Sequence, residues 1–326
     1  MTMTQSTNSS HSISDHFTSV IYSLCEIAEL YYYLGKLDEA VSVLKTGLQL
    51  TSAKEVHLRD QVKITLQYGK ILIAHYFLMN KGFDLALATA LEAKQLAETA
   101  HYEKGIADAL SLIGQAHYYK KLNTGEGGYE EALAYFQQAL TYREKLHDTR
   151  GISEALFHSG LTYEQRDLVD KARDCYTEAL QFADLYNHKL EKSYALRHLA
   201  GLGAAKGDLD AALNYALTSL ALREEIGFRV YLPHSHILVG DIYLEREDSE
   251  SALINYQNAQ ALAEEMDIKN ALILSLLAIG NIQLVQEDTV LARENFQQAH
   301  TLAQELGVGY AIAETSSRLN ALGTEK

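Results

Sequence analysis

One short pattern recurs along this chain, and its spacing limits the fold more than any other feature. The copies are LDEAVSVLKTGLQL from Leu37, FDLALATALEAKQLA from Phe83, YEEALAYFQQAL from Tyr129 and VDKARDCYTEAL from Val169. They continue with LDAALNYALTSL from Leu209, SESALINYQNAQ from Ser249 and TVLARENFQQAH from Thr289. Each copy holds an anchor alanine: Ala40, Ala86, Ala132, Ala172, Ala212, Ala252 and Ala292. The last five anchors lie 40 residues apart, and the first two intervals are 46. The fourth residue after the anchor is Leu44, Ala90, Phe136, Tyr176, Ala216, Tyr256 or Phe296, and the seventh is almost always small. Offsets of four and seven put these side chains on one helical stripe, where small residues let a neighbouring helix come close.

A second small residue precedes the anchor by twelve positions in most copies: Ala28, Ala74, Gly160, Ala200, Gly240 and Gly280, with Gly114 in this part in the third copy. An aliphatic residue usually stands before it, and an aromatic often follows three positions later, as in Tyr31, Phe77, Tyr163 and Tyr243. This marks a first helix, and the GD, RED and QED segments ahead of the anchors make the turn into a second. The composition agrees. Pro233 is the only proline in 326 residues, and a chain so poor in proline suits helix nearly throughout.

A helix pair carrying L-G-x2-Y in its first helix and A-x3-F/Y-x2-A in its second resembles the tetratricopeptide repeat. The resemblance runs over about residues 16–326. The family's shorter repeat is about 34 residues long, so a 40-residue period implies roughly one and a half extra turns of helix per pair. The longer form is similar to the repeats of Pins/LGN adaptors, kinesin light chain and bacterial peptide sensors. The family's signature Trp is absent, with Leu24, Leu110, Leu156, Leu196 and Leu276 at most of the equivalent positions. The expected fold is all-α: an α-α superhelix of about seven helix pairs, closed by a capping helix over Gly309–Leu322. Residues 1–15 are expected to be a flexible polar tail and 16–326 a single solenoid domain. The extra residues of the two long intervals are placed between helices at Thr51–Gln61 and in a loop at Leu122–Gly128.

Several functions are disfavoured. A formal charge of −15 opposes attraction to nucleic acid or anionic membrane surfaces. The most apolar window, Ala271–Gly280, is too short to cross a bilayer. The N-terminal stretch lacks the pattern of a signal peptide. Cys25 and Cys175 have no metal-type spacing, and buried reduced thiols with a cytoplasmic address are expected. No catalytic or nucleotide-binding fingerprint is present. The expectation is therefore a non-enzyme with no cofactor, no metal and no small-molecule substrate. His234 and His236 flank Ser235 but point apart on a helix, and the REE string at 223–225 is read as a solvated helix end.

The resemblance implies that first helices line a concave groove, and it carries groove positions over residue by residue. The first two copies give Tyr22, Glu29, Tyr32, Tyr68 and His75; the third gives Asp108, Gln115 and Tyr118. The fourth gives Glu154, Phe157 and Glu164, and the fifth gives Tyr194, Arg197 and Gly201. The last two give His234, Asp241 and Asn281. Only Arg197 and Asn281 have the chemistry of the Lys/Asn/Arg cluster by which chaperone-cofactor members grip a terminal carboxylate, so that class is set aside. The chain is also rich in tyrosine, with Tyr31–Tyr33 and Tyr118–Tyr119 consecutive, and those not needed between repeats are candidate contact residues.

The expected function is a protein- or peptide-binding scaffold or adaptor whose partner carries apolar anchors and some basic residues. The alternative is a peptide-responsive regulator similar to the bacterial sensors, acting on a separate effector chain because few residues precede the first repeat.

Overall fold

The computed structural model describes residues 12–323, and within them the chain forms fifteen α-helices and one 3-10 turn. Seven pairs run α1 (Ile13–Tyr33)/α2 (Leu37–Leu50), α3 (Leu58–Met79)/α4 (Phe83–Thr99), α5 (Glu103–Thr124)/α6 (Tyr129–Lys145) and α7 (Thr149–Glu164)/α8 (Val169–Leu185). They continue as α9 (Lys189–Ala204)/α10 (Leu209–Glu225), α11 (Leu232–Glu245)/α12 (Ser249–Glu265) and α13 (Lys269–Val285)/α14 (Thr289–Leu306). Helix α15 (Gly309–Gly323) follows as the cap, turning Ala311, Thr315 and Leu322 inward.

Boundaries differ from expectation in three places. Ser12 caps α1 by accepting from the Asp15 backbone, and Asp15 answers in a reciprocal capping box, so residues 13–15 of the expected tail are helical. Residues 1–11 of that tail lie outside the described residues. Helix α3 begins at Leu58, which takes Leu58–Gln61 out of the first expected connection. Helix α5 runs on through Thr124 and stops at Gly125, the first residue of the segment with a left-handed backbone (φ 76°).

The turns within pairs follow a local rule. Asp208, Asp248 and Asp288 cap α10, α12 and α14, each accepting from the backbone N–H three residues on. The residue before each adopts the left-handed conformation: Gly207, Glu247 and Glu287. One such residue followed by one acidic cap reverses the chain at each of these turns.

Packing within a pair rests on complementary size. A Cβ added to Gly114, Gly160, Gly240 or Gly280 would lie 2.5–2.6 Å from the ring of Phe136, Tyr176, Tyr256 or Phe296 respectively. Each ring therefore lies on bare backbone of the first helix. In the other three copies the small position is Ala28, Ala74 or Ala200, and the residue four after the anchor is the smaller Leu44, Ala90 or Ala216. All of these partners are nearly or fully buried.

This pairing predicts coupled stability effects. Gly280→Ala gains up to about 1 kcal/mol of helix propensity but forces Phe296 aside, an overpacking cost of about 1–3 kcal/mol. Thermal or urea unfolding should show net destabilisation. Adding Phe296→Leu, the pairing of the first copy, should leave the double variant more stable than the two single effects sum to, by about 0.5 kcal/mol or more. Strict additivity would mean that the two side chains do not share the space.

Candidate functional site

The ends of the superhelix meet. The Asn80 side chain, just past α3, donates to the Leu306 carbonyl at 2.9 Å, and Asn270 on α13 donates to the Phe77 carbonyl at 3.4 Å. The turn at Gly35 lies under Met266: a Cβ there would be 2.6 Å from the Met266 sulfur. Helices α1 and α3 of the first two pairs thus pack on the 3-10 turn Arg229–Tyr231 and on α13, and one hydrophobic cluster contains residues from both ends of the chain.

Aromatic rings fill the space between. Phe228, fully buried ahead of the 3-10 turn, meets Tyr32 and Tyr33 edge-on at 5.6 and 4.8 Å. Phe77 stacks on Tyr231 at 6.2 Å and packs against Tyr119 at 4.6 Å and His234 at 6.0 Å. Tyr194 stacks on Phe157 at 5.2 Å and reaches Phe228 and Tyr231. From the two runs of consecutive tyrosines, Tyr32, Tyr33 and Tyr119 join this wall.

The predicted groove residues divide by environment. Tyr32, Tyr68, Tyr118, Phe157 and His234 are buried, each at 7% exposure or less, so they hold the interior together in this closed form. Tyr22 is exposed, with the Lys63 ammonium 3.2 Å above its ring. The acids are already engaged. Glu29 accepts from Lys70 at 2.8 Å and Gln67 at 2.5 Å, and although burial opposes ionisation, Lys70 holds its carboxyl below the usual range. Asp108 and Glu154 flank the Arg143 guanidinium at 3.3 and 3.1 Å. Glu164 accepts from Tyr176 at 2.6 Å and meets His198 at 3.0 Å; Asp241 accepts from Tyr256 at 2.8 Å. His75 lies 3.4 Å from Asp38 and Gln115 is half-buried on α5. Arg197 and Asn281 differ: the Arg197 Nε and the Asn281 Oδ1 are buried without a hydrogen-bond partner.

Two buried arginines of the interior fall outside the predicted set. Arg143 and Arg223 are each 1% exposed, near the ends of α6 and α10. Arg223 corrects the reading of the 223–225 string as a solvated helix end: only Glu224 and Glu225 are exposed. The Arg223 guanidinium donates to Ser235 Oγ at 2.7 Å and lies over the rings of Tyr194 (5.4 Å) and Tyr231 (5.8 Å). The missed signal is position eleven after the anchor, where the chain has Ala97, Ala183, Ala263 and Ala303 but Arg143 and Arg223. Cys25 is buried and Cys175 half-buried; both thiols are free, and burial pushes each up to about 11.

A tetratricopeptide repeat profile matches residues 21–54, the end of α1 and all of α2. No curated protein sequence matches the chain. Solved structures similar in fold include the Rap conjugation gene regulator of plasmid pLS20 in complex with a Phr peptide: TM-score 0.67 and 14% identity, over 94% of this chain and 80% of that one. NprR in complex with its cognate peptide NprX aligns with TM-score 0.60 and 15% identity, over 91% of this chain and 87% of that one. Aspartyl phosphate phosphatase F from Bacillus subtilis aligns with TM-score 0.55 and 15% identity, over 97% of this chain and 80% of that one. The chain is a tetratricopeptide-type α-α superhelix of the form these proteins adopt. No helix among the described residues is long and apolar enough to cross a membrane.

The closed interior makes stability pH-dependent. Burial lowers His158 to about 4 and His234 to about 3, from an ordinary 6.5. Both are neutral when folded, so below pH 6.5 the unfolded chain binds more protons and stability falls as pH drops toward 4. Each contributes a slope of up to about 1.4 kcal/mol per pH unit in that window. Melting temperature should therefore fall between pH 6.5 and 4.5, and the pair His158→Phe with His234→Phe should flatten that fall. An unchanged slope would place the titration elsewhere.

Proposed function

We propose that the chain is a peptide-binding regulator: a short peptide enters the axial groove, and the change is passed to a separate protein chain. The observation that carries this reading is the closed aromatic wall itself. A static scaffold needs a groove that stands open for its partner. Here the rings of Tyr32, Phe77, Tyr194, Phe228 and Tyr231 cover one another, and the ends are joined by two side-chain hydrogen bonds and the Gly35–Met266 contact. A segment can reach the wall only where the ends part, which couples binding to shape. Two of the structures similar in fold are peptide complexes, which supports the same reading.

The proposal includes a cytoplasmic setting and the absence of catalysis by this chain. A phosphatase shares the fold, so the second point rests on the site and not on the superhelix. The acids lining the interior are bound to Lys70, Arg143, His198 or tyrosine hydroxyls, which leaves no carboxylate among them poised alone for proton transfer.

Loosening the closure tests the coupling. Asn80→Gly keeps the left-handed backbone and removes the bond to Leu306; Met266→Ala clears the contact over Gly35. The double variant should keep its helical circular-dichroism signal while its radius of gyration rises in small-angle scattering. It should also retain more of a pool of short random-sequence peptides than the wild type, as read by mass spectrometry after gel filtration. Equal retention by both proteins, with scattering unmoved by the pool, would count against the axial groove as the site.

A further inference from the structure

The interior arginines are not treated alike. Arg143 is neutralised by Asp108 and Glu154, and Arg150 by Glu191 at 2.6 Å. Among the described residues, neither Arg197 nor Arg223 has a carboxylate within ion-pair distance. The partners of Arg223 are neutral: the hydroxyls of Ser193 and Ser235, the Tyr231 carbonyl and two tyrosine rings. Arg197 makes a single long contact, Nη1 to His198 Nε2 at 3.4 Å, and its Nε is buried without a partner. Its nearest acids are committed, Glu164 to His198 and Tyr176 and Asp241 to Tyr256. His234, 7% exposed, also has an unpartnered buried Nδ1. The three groups feel one another: after burial, the charge of Arg197 helps pull Arg223 down to about 10, and both arginines depress His234. Buried donors left without acceptors in a native protein call for a specific reason.

Space adjoins them. Gly201 lies four residues after Arg197, on the same side of α9. A Cβ added there meets nothing within 4 Å, whereas at Gly114, Gly160, Gly240 and Gly280 it strikes a ring. We propose that Arg197, backed by Arg223 and His234, forms a binding site for a carboxylate, which occupies the open space over Gly201. This rests on the peptide-binding reading for the source of that group, either the C-terminus of a peptide or an Asp or Glu side chain. Arg197 supplies the charge-assisted hydrogen bonds, and Tyr194 and Tyr231 hold Arg223 behind it by stacking on the guanidinium.

The test uses the full chain and three probes: N-acetylglycine, the α-amide of N-acetylaspartate, and neutral N-acetylglycinamide, followed by saturation-transfer NMR. At least one acid should bind and the neutral amide should not; the stronger acid identifies a terminal or a side-chain carboxylate as the source. Arg197→Gln should weaken acid binding by about tenfold or more. Gly201→Leu, which enters empty space and suits a helix, should block binding with the circular-dichroism spectrum unchanged. Lys104→Gln, at an exposed position, should alter nothing. The proposal is overturned if no acid binds, if glycinamide binds as well, or if Arg197→Gln binds acids like the wild type. The random-peptide pool separates the two readings. Equal retention by wild type and Arg197→Gln upholds peptide binding and removes the carboxylate site. Acid binding that depends on Arg197, with no peptide retained, does the reverse.

Discussion

Four aromatic rings lying on four glycines set the geometry on which the rest of the structure depends. At Gly114, Gly160, Gly240 and Gly280 the first helix offers only backbone, so the second helix can approach until Phe136, Tyr176, Tyr256 or Phe296 touches it. Helix pairs with alanine at that position carry a smaller partner, so every pair is filled by a different division of similar space. Separation within each pair fixes how the next one leans, and in a solenoid such small rotations accumulate along the array. Here they accumulate far enough for α3 to reach α13.

That closure turns a quasi-linear array into a molecule with long-range contacts. A solenoid whose repeats touch only their neighbours can lose end repeats independently. Asn80 bound to Leu306 and Asn270 bound to Phe77 tie the two ends together. The interior they enclose is polar at its edges, where Glu29 with Lys70 and Arg143 with its two acids join neighbouring first helices. Arg143 is buried, so losing its acids would leave its charge uncompensated, whereas the part-exposed Glu29–Lys70 pair is screened by solvent and is worth about 1 kcal/mol or less.

The helices and their pairing were legible because they are local: a small residue, a ring four after the anchor and an acidic cap are all read within one repeat. Closure was not, since no single repeat encodes the sum of the rotations. This is why Tyr32 counts as a groove candidate in sequence and as a buried side chain against Phe228 in the folded chain. The Arg229–Tyr231 turn escaped for a related reason: Phe228 and Tyr231 meet Tyr32, Tyr33 and Phe77 only when α1 and α3 arrive from the other end. The extension of α5 through Thr124 was hidden by grouping Leu122–Thr124 with the glycines that follow, although the backbone first turns left-handed at Gly125.

Arg143 and Arg223 show how a repeat can take on a role its siblings lack. Both replace an alanine at the eleventh position after the anchor, and both are buried to the same degree. What differs is the first helix facing them. Across from Arg143, α5 and α7 contribute Asp108 and Glu154, and the charge is balanced within the fold. Across from Arg223, α9 contributes Ser193 and α11 contributes Ser235, which satisfy geometry but not charge. A guanidinium held by hydroxyls and tyrosine faces keeps its electrostatic demand for an anion, and Arg197 on the same α9 adds to it. The same substitution is thus balanced by carboxylates in the third pair and held by neutral groups alone in the fifth.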